Sequence, residues 1–152
     1  MPEFYTLYRD EFTISTDPAR LDFEVIHDFI SRDSYWGKGI SRAQMQQQID
    51  HSTFNFGIYH GPRQVGFAQV LTNFVTFAYL GNVFVVDEFR GRGLSKWLME
   101  VITTHPDLQR LRRWVLATRD AHGLYAQFGF TPLRQPETFM ERVDDAWPGQ
   151  PI

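Results

Sequence analysis

The segment Val85-Val86-Asp87-Glu88-Phe89-Arg90-Gly91-Arg92-Gly93-Leu94-Ser95 decides how this chain is read. An apolar, β-branched run leads in, two Gly alternate with two Arg, and a helical pattern leaves at once. Leu94, Trp97, Leu98, Val101 and Ile102 recur at the spacing of one helix face. Unbonded N–H groups at a helix start attract anions, and the helix dipole adds to that attraction. Gly lets the backbone approach a phosphate with no Cβ in the way. Arg90 and Arg92 add charge that pairs with phosphate oxygens. The turn therefore reads as a phosphate or pyrophosphate cradle. It is neither of two familiar phosphate loops: Lys96 stands where G-x-G-x-x-G requires Gly, and no G-K-[ST] follows the required spacing.

Working outward, Phe77 to Val86 is dense in aromatic and β-branched residues and predicts a strand, with Gly81 marking a bulge or close approach. Phe54 to Tyr59 and Val65 to Leu71 alternate around His60-Gly61-Pro62-Arg63, which predicts a hairpin. Downstream, His105-Pro106 stops the helix. Arg113 to Ala117 reads as a strand apolar enough to be central, and Asp120 to Phe128 as a short helix with Asp120 at its N-cap and Gly129 after it. Phe130-Thr131 and Phe139-Met140 are two short candidate closing strands.

Upstream, Phe12 to Ser15 is a candidate strand, and Asp17-Pro18 signals a helix start ahead of Leu21, Val25 and Phe29. Tyr35 and Trp36 lie in a loop with Gly37 and Gly39. Ser41 with Gln44 fits a capping box for a helix that turns Met45 and Ile49 inward. The order β-α-α-β-β-β-α-β-α-β-β predicts an α/β layered fold, a mixed sheet with helices on both faces. Residues 1–142 are expected to form one domain and 143–152 a frayed tail.

The 152 residues are 43% apolar and 22% charged, with 14 Phe, 6 Tyr, 4 Trp and no Cys. That composition suits one globular domain and excludes disulfides, thiolate metal sites and Cys nucleophiles. A net charge of −3 argues against a nucleic-acid binder, so the cluster Arg110, Arg112 and Arg113 reads as a solvated helix end. The five His lack metal-ligand spacing, so no metal is expected. Met1 to Tyr5 lacks the features of a signal peptide, and no apolar run reaches the ~20 residues of a membrane helix. The expectation is a cytoplasmic protein, monomeric or homodimeric, with no membrane partner.

Arg90-x-x-Gly93-x-Ser95, between a strand and an amphipathic helix, resembles the acyl-CoA signature Q/R-x-x-G-x-G/A of the GNAT N-acetyltransferase superfamily. Tyr125-Ala126-Gln127-Phe128-Gly129-Phe130 resembles that family's Y-x-x-x-G-F segment. The resemblance covers roughly Phe54 to Phe130. It departs at Ser95, where the family has Gly or Ala, and at Thr118, where many members carry Asn.

The resemblance implies a mostly antiparallel sheet, splayed between its fourth and fifth strands (77–86 and 113–117), and acetyl-CoA as cosubstrate. It implies direct attack by a small-molecule or peptide amine in a ternary complex, with no acyl-enzyme. The amides from Arg90 through Gly91, Arg92, Gly93 and Leu94 to Ser95 would hold the pyrophosphate, helped by the Arg90 and Arg92 side chains. Phe84, Val85, Val86 and Thr118 would lie along the pantetheine arm. Tyr125 would be the general acid toward the departing sulfur. The strand before the turn has no carboxylate, so His122 is the candidate base, with Asp120, Tyr79 or a water relay as alternatives. Tyr35 and Trp36 would line the acceptor pocket. The competing reading is a module that binds acyl-CoA without turnover.

Overall fold

The computed structural model describes residues 3–147. Six strands form one sheet in the order β1-β2-β3-β4-β5-β6. They are β1 (Thr6–Arg9), β2 (Phe12–Ser15), β3 (Phe54–His60), β4 (Arg63–Thr72), β5 (Ala78–Val85) and β6 (Trp114–Val115). All neighbouring pairs are antiparallel except β5 with β6, which is parallel. The helices are α1 (Phe23–Asp28), α2 (Arg42–His51), α3 (Leu94–Thr103) and α4 (His122–Ala126).

Alternation of side chains along β4 and β5 divides the core between two faces. Val65, Ala68, Val70, Ala78, Leu80 and Val85 pack with the apolar stripe of α3. Phe67 and Phe84 point the other way, to Ile26, Phe29 and Ile30 of the α1 region and Met45 of α2. The expected mixed sheet with helices on both faces is therefore present. The Ser41–Gln44 capping box opens α2 as expected.

Local readings differ at several points. The sheet begins one strand earlier than expected, because Asp10 adopts a positive φ of 54° and folds β1 back on β2. Asp17 caps only a 3-10 turn, Pro18–Arg20; Asp22 caps α1 by accepting from the amides of Glu24 and Val25. The strand expected to be central, 113–117, is a half-buried edge strand of two residues. Phe130-Thr131 and Phe139-Met140 are not strands, and residues 131–147 are all exposed. Asp120 is not a helix cap: Thr118 Oγ1 accepts from the Ala121 amide at 3.1 Å and turns the chain into α4. Glu88, exposed at the surface, clamps Arg63 through two bonds of 2.7 and 3.0 Å. Phe89 beside it is buried.

Two irregularities shape the sheet where it matters. Asn82 and Val83 of β5 oppose the single residue Ala68 of β4, between the pairs Phe67↔Phe84 and Gln69↔Gly81. This is the bulge that Gly81 foretold, but Asn82 is the residue in the left-handed region, at φ 52°. β6 pairs with β5 only at Ala78↔Trp114 and Tyr79↔Val115. Beyond Tyr79 the two segments separate, which opens the sheet between the expected pair of strands. Among the described residues no helix is long and apolar enough to cross a membrane.

Candidate active site

The opening between β5 and β6 holds a cleft with two lobes. The glycine-turn lobe, about 660 Å³, runs along Val83 to Val85 to the start of α3. The amide lobe, about 380 Å³, lies between Leu80 to Val83 on one side and Leu116 to Thr118 on the other. Tyr35, Trp36, Val83, Asp120, Ala121 and Tyr125 line both, so the lobes are continuous.

The glycine-turn lobe is made chiefly of main chain. Gly91 and Gly93 take φ of 76° and 75°, a region that a side chain would strain. A Cβ at either would meet nothing within 4 Å, so their role is conformational and leaves open space above the turn. The amide of Arg90 is bonded to Asp87 O at 3.2 Å. Those of Gly91, Arg92, Gly93, Leu94, Ser95 and Lys96 have no hydrogen-bond partner among the described residues. They form the electropositive start of a ten-residue helix. Such a cradle fits a phosphate-bearing ligand.

The arginines do less than the sequence suggests. Arg90 turns back, with Nε donating to Val85 O at 3.2 Å and a 3.0 Å ion pair to Asp87. Arg92 lies over the Phe89 ring at 4.8 Å and does not line the lobe. Lys96, one turn into α3, does line it. Phe84 and Val85 line the lobe, whereas Val86 does not and packs against both core clusters.

The amide lobe is made of side chains. Asn82 Oδ1 accepts from Trp36 Nε1 at 2.8 Å. Its Nδ2 donates to Gln48 Oε1 and to Gln69 Oε1, each at 2.6 Å. Gln69 in turn donates to Asn55 Oδ1 at 2.8 Å, and Asn55 to Ile49 O at 3.0 Å. The relay pins the bulged residue to the loop at 34–39, to α2 and to β4. Sequence reasoning named Trp36 but missed Gln48, Gln69 and Asn82. Only Gly81, as a bulge signal, pointed near them.

Tyr35 Oη accepts from the Arg119 amide at 2.7 Å, and the Arg119 guanidinium lies 4.1 Å from the Tyr35 ring centroid. The loop bearing Tyr35 is thereby tied across the cleft to the segment preceding α4. Gly37 is obligatory in this loop, because a Cβ there would sit 2.5 Å from Ile30.

Tyr125 stands where the lobes meet. It is 8% exposed, and its hydroxyl has no hydrogen-bond partner among the described residues. Burial pushes that hydroxyl up to about 12, and Tyr35 and Asp120 push the same way. Burial also raises Tyr79, with Tyr35 adding to it. Asp120 lines both lobes, and Thr118 lines the amide lobe. His122 is exposed and lines neither. Of the tail expected at 143–152, residues 143–147 are described: a turn from Asp144 brings Trp147 against the amide lobe. Residues 148–152 of that tail lie outside the described residues.

Known proteins share this fold. The sequence model of the acetyltransferase (GNAT) domain matches residues 20–144. A Gibberella zeae protein, provisionally described as an acetyltransferase, is 30% identical in an alignment that covers 78% of each chain. A crystal structure from Xanthomonas campestris pv. campestris, assigned on the same provisional footing to the GNAT family, is 50% identical over 95% of each chain, with a TM-score of 0.83. A Clostridium acetobutylicum protein crystallised with acetyl-CoA shares the fold at 10% identity and a TM-score of 0.63, over 87% of this chain and 94% of that one. The opened parallel pair, the unbonded amides of the glycine turn and the tyrosine at the junction are thus accounted for together: this chain belongs to the GNAT family of acetyltransferases.

Proposed function

We propose that this protein transfers an acetyl group from acetyl-CoA to an amine by direct attack. The observation that carries the reading is one continuous cleft with Tyr125 at its middle, unbonded main-chain amides at one end and a side-chain pocket at the other. Family membership supports acyl transfer in general; the cleft supports the finer assignment.

In this reading the amides of Gly91 to Lys96 hold the pyrophosphate, with Lys96 adding the charge that Arg90 and Arg92 spend elsewhere. Main chain of Val83 to Val85 runs beside the pantetheine arm. The bulge at Asn82 and Val83 turns backbone polar groups toward the acetyl carbonyl, where an N–H stabilises developing negative charge. Thr118 uses its oxygen to shape the α4 turn, and its hydroxyl proton stays available to the ligand.

The step balances. The nitrogen lone pair forms the C–N bond, the carbon–sulfur bond breaks, and sulfur leaves with its electron pair. One proton leaves nitrogen and one ends on sulfur, giving an acetamide and a free thiol. Tyr125 donates its hydroxyl to the departing sulfur. A phenol at about 12 is a weaker acid than a thiol near ~8.5, so it acts first as a hydrogen-bond donor. Any proton it passes on is replaced by the one the nitrogen sheds. His122 has no part in this reading; Asp120 and Tyr79 are the titratable groups near the nitrogen.

The test is thiol release from acetyl-CoA across an amine panel, alongside calorimetric titration of acetyl-CoA. The reading expects micromolar acetyl-CoA binding and amine-dependent release. Binding with no release for any amine class would leave only the binding-module alternative.

A further inference from the structure

The amide lobe has a composition that selects among amines. Among its lining residues Asp120 is the only acidic side chain, and no Lys or Arg lines it. Trp36, Tyr79 and Trp147 supply ring faces, and Leu71, Leu80 and Leu116 supply apolar wall. The amide relay is largely consumed internally. Asn82 spends its oxygen on Trp36 and both amide hydrogens on Gln48 and Gln69, and the Gln48 side-chain nitrogen has no acceptor among the described residues.

An ammonium group entering this lobe meets a carboxylate and ring faces, both of which attract cations. A carboxylate or phosphate on the same molecule would meet Asp120 and find no cation among the lining side chains. Only neutral donors such as the Gln48 amide and the Thr118 hydroxyl could replace its lost hydration, which is costly for an anion. Rejection by like charge is as effective a source of specificity as attraction.

We propose that the acceptor is a primary amine carried on an uncharged, ring-bearing or hydrocarbon body, and that amines bearing an acid group are excluded. Asp120 anchors the incoming ammonium group, which gives one proton to solvent before its lone pair attacks, and Trp147, beyond the family-matched residues, closes the apolar wall. This rests on the acetyl-transfer reading only in assigning this lobe to the acceptor.

Matched pairs test it: tryptamine against tryptophan, and 2-phenylethylamine against phenylalanine, which differ only in the carboxylate. Each is titrated calorimetrically into the full chain, with and without CoA, and each is assayed for thiol release. The expected result is at least ~30-fold tighter binding of the decarboxylated member, in the range of one or two ionic contacts. Asp120→Asn should shrink that gap to within a few-fold. Trp147→Ala should weaken tryptamine about tenfold and leave the acetyl-CoA titration unchanged.

Equal or reversed preference within the pairs would overturn the proposal, as would failure of every amine to bind protein that binds CoA. An unaltered gap in Asp120→Asn would overturn the role of that carboxylate. Failure of acetyl-CoA to bind, with the amine preference intact, would instead overturn the acetyl-transfer reading and leave the selectivity of the lobe standing.

Discussion

The two lobes of the cleft meet at Tyr125 but are made of different material. In the glycine-turn lobe the donors are consecutive, the main-chain amides of Gly91 to Lys96. The amide lobe is built from side chains far apart in the chain: Trp36 to Asn82 spans 46 residues and Gln48 to Asn82 spans 34. A main-chain site is specified by backbone conformation, so it tolerates many side chains but demands glycine at positive φ. A side-chain site is specified by what the fold brings together, so single substitutions reshape it. The first kind suits a cosubstrate shared by a whole family, and the second suits an acceptor that differs between members.

The sharpest way to break this contrast is at Gly93. Gly93→Val places a β-branched residue at φ 75°. Strain of ~1–3 kcal/mol, together with obstruction above the turn, should weaken acetyl-CoA about 100-fold while amine binding persists. Calorimetry on both ligands checks this, and retained acetyl-CoA affinity would remove the cradle.

Next is the junction. Tyr125→Phe should lower kcat by ~10²–10³-fold with the KM for acetyl-CoA little changed, as expected for a donor used mainly in the transition state. Steady-state kinetics decides it, and an unchanged kcat would end Tyr125's catalytic role.

On the side-chain lobe, Asn82→Ala removes three hydrogen bonds and leaves a non-glycine residue at positive φ. Stability should fall by about 2–3 kcal/mol, at ~1 kcal/mol per bond, and the amine KM should rise while acetyl-CoA binding holds. Asn82→Gly relieves the backbone and should recover part of the stability but not the amine KM. Urea titration and kinetics on both variants separate strain from network.

The smallest effect is in the pH dependence of stability. The Tyr125 hydroxyl and the buried Tyr59 hydroxyl, which has no hydrogen-bond partner among the described residues, are both pushed up to about 12 from an ordinary 10.0. Raised values favour the protonated folded form. Their contribution is therefore complete below pH 10 and lost as the pH climbs through about 12. His105 runs the other way: burial lowers it from 6.5, so its contribution is present above that pH and lost below. Urea midpoints between pH 5 and 11 should show both flanks, and Tyr125→Phe should soften only the alkaline one.

Particular residues show where sequence reasoning stopped. Hydrophobic periodicity located α3, β3, β4 and β5, because those elements bury one face each and the pattern is local. It overrated the stretch at 113–117, because an apolar run cannot reveal whether a strand is paired on one side or two. It placed strands at 130–131 and 139–140, where the rings alternate but nothing in the sheet receives them. Asp120 had the right chemistry for a cap, yet α4 begins one residue later, with Ala121 at the cap position, and Asp120 lines the cleft instead. His122 has helical spacing to Tyr125 but lies on the outer side.

The sequence alone determined the α/β class, the glycine turn at 90–95 that opens α3 and the tyrosine that lines the same cleft. Each depends on residues close together, whose backbone preferences and periodicities act before the chain is folded. Only the tertiary structure decided that β6 leaves β5 after two pairs, that Asn82 is held by three distant partners, and that Asp120 and Trp147 enter the second lobe. Those facts depend on contacts between residues 13 or more apart in the chain, which packing selects and no local pattern encodes.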